Sequence, residues 1–339
     1  MTQAMPLFPV HRPRVGLSFS GQSLSLVELA ARWRPGWRGA SLVRASEQPL
    51  PPGLLHPSDS VPNVSDVSAL AQEVRTLVGP IRISAVALCL PDQAARVGLF
   101  EFDRLPKQAA ECEALLRWRF REEMNVPPAD TRIVYRVFHG TGVSQSGEER
   151  AGPVTRVLAT SIHRAILAQY EQVCEEAGLL PVAIGLSSLQ LFNLCHTTMS
   201  PAEELFFAHA SPDGFAFLAL RENSPVFLRL RSLRQSNFNL LDELTGTLQF
   251  YDDQAPHGDL TTDAPARRLF LLDATTKGSD SQDPPESAAG PAAMITPTGN
   301  ANWRIQVSPV GWGSLPLSGQ NLADCPVSGL SALAGMVER

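Results

Sequence analysis

The sequence predicts an α/β protein made of two related halves. Three observations carry that prediction. Strand-length apolar runs alternate with amphipathic helical stretches along most of the chain. A strand–turn–strand–strand–helix block opens near Val15, and a second block of the same order opens near Leu205. No repeat is visible residue by residue, so the duplication is one of elements.

The elements follow in order. Residues 1–13 hold three prolines and no periodicity, and read as a flexible N-terminal tail. Val15–Phe19 and residues 24–30 read as strands around the turn Ser20-Gly21-Gln22-Ser23, with residues 38–44 as a third strand and the Pro/Ser-rich 49–62 as a loop. Asp66 is placed to cap a helix that runs to about Val78 and stops at Gly79-Pro80. Residues 83–90 form a buried strand broken by Pro91-Asp92, and Arg96–Phe102 forms another. The spacing of Leu115, Leu116, Phe120 and Met124 predicts a helix over 108–124. Residues 133–138 and 154–160 read as a strand pair around the polar loop 139–153.

Residues 164–177 carry Ile166, Tyr170, Val173 and Ala177 along one helical stripe, which stops at Gly178. A strand over 181–186 and a helix over 187–195 end the first half. Residues 205–210, 214–220 and 226–231 read as strands, 238–251 as a helix and 268–272 as a short buried strand. The stretch 277–302 is rich in Ser, Pro, Ala and Gly and reads as a flexible loop. A strand over 303–307 and a closing helix over 328–336 follow.

Composition narrows the function classes. Of 339 residues, 28 are Lys or Arg and 34 are Asp or Glu, a formal charge of −6, which argues against a dedicated nucleic-acid binder. A hydrophobic share of 44% supplies a sizeable core and excludes global disorder. Lys107 and Lys277 are the sole lysines, so chemistry built on a phosphate-cradling lysine has two candidates, both in turn-like surroundings. Five scattered cysteines with no CxxC pair fit reduced thiols better than a disulfide framework or a zinc site. No run approaches the ~18 apolar residues of a membrane helix, and the first residues lack a signal-peptide stretch, so a cytoplasmic protein is expected.

Several other features have plain structural readings. Asp213-Gly214 fits an ordinary hairpin turn better than a metal-holding carboxylate beside a phosphate turn. The run Arg117-Trp-Arg-Phe-Arg121 spreads its cations around a helix, with Glu122 and Glu123 offsetting part of the charge. Seven histidines show no metal-binding spacing; His163 opens a helix, and His209 falls inside a strand. Cys89 and Cys112 look like core positions, and the pairs Glu203-Glu204 and Asp252-Asp253 read as solvated element ends.

Four stretches carry a resemblance to a known family. They are Val15-Gly-Leu-Ser-Phe-Ser-Gly-Gln-Ser-Leu-Ser-Leu-Val-Glu-Leu29; Leu88-Cys-Leu-Pro91 with the following helix to Met124 and Val126-Pro127; the segment 159–180 with its Glu176-Ala-Gly-Leu179 ending; and Gly329-Leu-Ser-Ala-Leu333. In order and spacing the chain resembles the PilM family of type IV pilus assembly proteins, within the actin-like ATPase superfamily. The resemblance implies an actin-like (ribonuclease H-like) bilobal fold with two related βββαβα-type domains and a small inserted α+β subdomain. The first domain would take 14–88 and 179–200, the subdomain 89–178, and the second domain 201–339 with the closing helix.

The departures from the family bear on function. Its first phosphate turn has an Asp and a Gly flanking an apolar residue, with a Lys in the second strand; here Ser18, Ser20 and Ser25 stand in those places. Ala208, Ala210 and Gly214 align with its second phosphate turn, and Leu271-Leu-Asp-Ala-Thr-Thr276 with its Gly-rich adenosine loop. Glycines let backbone amides approach phosphate, and the Asp positions hold the metal's water shell. Ser18, Ser20, Gly21, Gln22, Ser23, Ser25, Ala208, Ala210 and Gly214 are therefore vestigial cofactor-binding positions.

No cofactor is required on this reading. Weak Mg·ATP binding through Gly21, Gln22 and Ser23 stays open, efficient hydrolysis is not expected, and no catalytic or metal residue is assigned. The resemblance implies a cytoplasmic scaffold at the inner face of the bacterial inner membrane, gripping the short cytoplasmic N-terminus of a single-span PilN-like protein. The groove would be built from parts of 15–90 and 96–178. Other pilus platform and motor proteins are further expected partners, and self-association is left open. The alternatives are a working ATPase or kinase of the superfamily, and the equivalent scaffold of a type II secretion system.

Overall fold

The computed structural model describes residues 13–30, 39–80, 85–126, 130–140, 154–196, 204–233, 238–254, 267–275, 294–295, 305–319, 322 and 325–336. The expected tail, nearly all of the polar loop before residue 154 and most of the 277–302 loop lie outside them.

Strands β1 (Val15–Phe19), β2 (Ser23–Leu29) and β3 (Ser41–Pro49) form an antiparallel meander, with Leu17 opposite Leu26 and Ser18 opposite Ser25. After helix α1 (Val67–Val78) the chain returns as β4 (Ala85–Leu90), parallel to β1. An excursion follows through β5 (Arg96–Phe102), α2 (Ala109–Met124), β6 (Thr131–Gly140) and β7 (Val154–His163), whose strands form a separate antiparallel sheet in the order β5-β7-β6. Helix α3 (Arg164–Glu176) leads back to β8 (Leu180–Leu186), parallel to β4, and α4 (Ser187–His196) crosses to the second lobe.

There β9 (Glu204–Ala210), β10 (Gly214–Arg221) and β11 (Ser224–Ser232) repeat the meander. Helix α5 (Leu240–Gln254) leads to β12 (Arg267–Asp273), parallel to β9; β13 (Met294–Ile295) and β14 (Ile305–Pro309) extend the sheet beyond it. A two-residue β15 (Ser318–Gly319) and helix α6 (Gly329–Ala334) close the described chain. The sheets run β15-β3-β2-β1-β4-β8 and β11-β10-β9-β12-β14-β13. In each, a three-strand meander is followed by two strands parallel to its first, so the duplication expected from the sequence is one of topology.

Local signals explain the elements they predict. The Asp66 carboxylate accepts the Ala69 amide at 2.9 Å at the start of α1, and Gly79 ends that helix at φ 72°. The Ile166, Tyr170 and Val173 stripe of α3 packs into the same core as Leu70 and Val74 of α1 and Leu17 and Phe19 of β1. Helix α3 therefore belongs to the first lobe, and the inserted subdomain is narrower than 89–178, spanning β5 to β7 around its own core of Phe100, Leu116, Phe120 and Val157.

The C-terminal segment also departs from expectation. β15 pairs with β3, and α6 lies on β1 and β2, so the closing helix completes the first lobe, not the second. One buried cluster joins both lobes through Val27 and Leu29 of β2, Leu194 of α4, Phe207 of β9, Trp312 and Leu333. Gly16 permits the approach of α6: a Cβ there would sit 1.8 Å from the Ala332 carbonyl oxygen. Gly16→Ala should cost about 1–3 kcal/mol by overpacking. Faster hydrogen exchange in α6 with the second-lobe strands unchanged is the expected signature.

Candidate functional site: the cleft between the lobes

Two hairpin turns face each other across the lobes. In the first, Ser20 donates its amide to the Ser23 carbonyl at 2.9 Å; in the second, Ser211 does the same to Gly214 at 2.8 Å. Matching the two turns places Ser18 opposite His209 in the duplication, and Ser20 opposite Ser211. The sequence alignment, which put Ala208 and Ala210 at these places, is shifted by one residue. Ala208 and Ala210 point into the second lobe's core beside Phe217 and Leu248, away from the cleft. Between the turns lies a cavity of about 70 Å³ lined by serines, among them Ser18, Ser20, Ser23 and Ser25, with Asp92, His209 and Asp213. Gly21 borders this region through its contact with Asp213, and Gly214 through Gln93, whereas Gln22 is exposed.

The amides of the first turn all have acceptors within the protein. The Ser20 hydroxyl oxygen accepts the Ser23 amide at 2.9 Å and the Gln22 amide at 3.3 Å. Gly21 donates its amide to Asp213 Oδ2 at 2.8 Å, across the cleft. Ser23 in turn donates its hydroxyl to Glu47 at 2.6 Å. The Asp213 carbonyl accepts Gln93 Nε2–H at 2.8 Å and the Leu233 amide at 3.0 Å. The expected hairpin at Asp213-Gly214 is present, and its carboxylate has a second role that local sequence does not reveal.

A second polar group lies deeper. Ser188, in the first turn of α4, donates its amide to Asp92 Oδ1 at 3.0 Å, while its hydroxyl contacts both Asp92 Oδ2 and His209 Nδ1, the latter at 2.7 Å. Burial pushes the Asp92 carboxyl up to about 6, against the Ser188 hydrogen bonds that lower it. Burial likewise depresses His209 to about 4, opposed by Asp273. A hydroxyl carries one proton, so with Asp92 ionised Ser188 donates to the carboxylate and neutral His209 donates Nδ1–H to Ser188. Burial raises the Cys89 thiol beside Ser187 and Ser18, which keeps it protonated and unreactive. Among the described residues no group of three or more His, Cys, Asp or Glu is arranged to hold a metal ion.

The lobes, their shared topology and the cleft between them define an actin-like bilobal fold. The chain is similar over 96% of its length to a chain of the PilM–PilN type IV pilus biogenesis complex, covering 100% of that chain at a TM-score of 0.65 and 18% identity. At that identity the likeness is one of fold. Looser overlays are found with the cytoplasmic domain of EpsL, an inner-membrane component of the type II secretion system of Vibrio cholerae (TM-score 0.47, 9% identity, 96% of this chain and 95% of that one). A protein of Bacteroides thetaiotaomicron with an actin-like ATPase fold overlays at TM-score 0.41 and 10% identity, over 79% of this chain and 85% of that one. No protein-family model matches the chain, and no curated protein sequence does.

Outside the cleft, the structure corrects one reading. Glu204 and Asp252 are not solvated ends: both pair with the buried Arg267, at 2.9 and 2.6 Å. Arg117 and Arg119 pair along α2 with Glu113 and Glu123, and Arg119 also reaches β5, donating to the Glu101 carbonyl at 3.1 Å and lying over the Phe102 ring. No helix among the described residues is long and apolar enough to cross a membrane.

Proposed function

We propose that the protein is a cytoplasmic scaffold of a type IV pilus or related secretion platform at the inner membrane. In this reading it holds the short cytoplasmic N-terminal segment of a single-span PilN-like partner and does not hydrolyse ATP efficiently. The observation that carries the proposal is the end-to-end likeness in fold to a chain of the PilM–PilN complex. The state of the cleft supports the second half. Serines stand where a metal-ordering carboxylate and a lysine would act, Ser18, Ser20 and Ser25 all lining the cleft.

The test is affinity capture of the tagged protein from detergent-solubilised native membranes. Recovery of a single-span protein, lost when its N-terminal cytoplasmic segment is deleted, is the expected outcome; no membrane component would shift the assignment to an enzyme or cytosolic regulator. Nucleotide is tested by thermal unfolding with Mg·ATP. A ligand at 100 times its dissociation constant adds about 2.7 kcal/mol. No shift at millimolar Mg·ATP is expected, and a clear one would refute a scaffold without nucleotide.

A further inference from the structure

We propose that Asp213 acts as a built-in anion: its carboxylate occupies the first lobe's anion-accepting turn and holds the cleft shut. The geometry is that of a bound ligand. A backbone amide at the tip of a tight turn donates to a carboxylate oxygen at 2.8 Å, the arrangement by which such turns hold phosphates and carboxylates. Here the acceptor comes from the opposite lobe, 192 positions along the chain.

Glycines make the approach possible on both sides. A Cβ at position 21 would lie 2.6 Å from Asp213 Oδ1, and one at position 214 would lie 2.0 Å from Gln93 Nε2 and 2.8 Å from the Arg231 carbonyl. The clash at 21 lies on the contact between the turns, whereas that at 214 is shared between Gln93 of the first lobe and the Arg231 carbonyl of the neighbouring strand, so lobe meeting lobe explains the glycine at 21. Gln93 completes the clasp by donating to the Asp213 carbonyl. Among the described residues Asp213 forms no ion pair, so the Gly21 amide is the donor that answers its charge. The remaining turn amides, Gln22 and Ser23, are satisfied by the Ser20 hydroxyl, which leaves the turn without a donor for an outside anion. The carboxylate closes the lobes and excludes competing anions by the same contact.

The test compares the full-length wild type with Asp213→Ala and Asp213→Asn, reading hydrogen exchange at the Gly21 amide and binding of inorganic tripolyphosphate by calorimetry at low salt. Loss of one hydrogen bond to a charged acceptor should speed Gly21 exchange roughly 10- to 100-fold in Asp213→Ala. The radius of gyration should rise, and tripolyphosphate should bind this variant and not the wild type. Asp213→Asn keeps an oxygen acceptor without the charge and should fall between the two; it serves as the test if the alanine variant fails to fold. Gly21 exchange unchanged in a folded variant overturns the clasp. Equal tripolyphosphate behaviour in wild type and Asp213→Ala overturns the carboxylate's role as resident anion. Neither readout depends on a membrane partner, so failure here is distinct from failure of the scaffold assignment.

Discussion

Glu204→Ala is expected to remove about 3–5 kcal/mol of stability, the cost of deleting one partner from a buried ion-pair network. Arg267 is 8% exposed and reaches Glu204 Oε2 at 2.9 Å and Asp252 at 2.6 Å, with its guanidinium also over the Phe206 ring. Arg221 approaches the other Glu204 oxygen at 3.0 Å, and the Tyr251 hydroxyl donates to that same oxygen. One carboxylate thus serves two cations and a buried phenol, tying the start of β9 to β10, α5 and β12. Truncation removes one carboxylate from Arg221, Arg267 and the Tyr251 hydroxyl at once. Glu204→Gln keeps the acceptor oxygen and should lose clearly less. Urea unfolding at pH 7 reads both. A loss under about 1 kcal/mol for the alanine variant would mean that water screens the network as it does surface pairs.

The second large effect is a pair of opposed pH dependences inside the cleft. Asp92 titrates near 6 when folded and near 3.8 as a free side chain, so the native state binds a proton that the unfolded chain lacks. Its contribution is fully present below 3.8 and is lost as pH rises through 6. His209 runs the other way: at about 4 when folded against 6.5 free, its contribution is present above 6.5 and is lost as pH falls through 4. Each shift is worth about 3 kcal/mol at roughly 1.4 kcal/mol per pH unit. Between pH 4 and 6 the two slopes oppose, with burial of Asp213 adding to the Asp92 side.

Subtracting each variant from the wild type cancels the surface carboxylates and exposes the pair. On going from pH 7 to 4, the advantage of wild type over Asp92→Asn should grow by about 3 kcal/mol, and that over His209→Gln should shrink by a similar amount. Slopes of the same sign for both variants would refute the assignment. The groups facing this pair are Ser188 from α4, Asp213 from the hairpin and Asp273 from the end of β12.

What the sequence showed of this molecule was what short range decides. The cap at Asp66, the stop at Gly79, the turn at 20–23 and the stripe on α3 are local, and the elements stand where those signals put them. The address of α3 was not legible, because an apolar stripe asks for a core without saying which one. The alignment at 208–210 slipped by one residue because β9 is buried on both faces, and a strand without alternation does not report its register. Glu204 looked solvated because its partner Arg267 lies in another strand. The Asp92–Ser188–His209 group and the Asp213 contact were invisible for the same reason. Each joins residues that only the folded lobes bring together.

The late return of the chain to its first sheet has a kinetic consequence. Ser318 meets Ser41 after 277 intervening steps along the sequence, and α6 covers the face of β1 and β2 after that. At roughly 5–20 residues per second of synthesis, that face waits on the order of 15–55 s for its cover. During this interval Val27 and Leu29, which end fully or nearly buried, are open to water and to other chains. Such non-local closure makes folding slow. The nascent first lobe is thus the stage at which a chaperone, or a binding partner already in place, has most to protect.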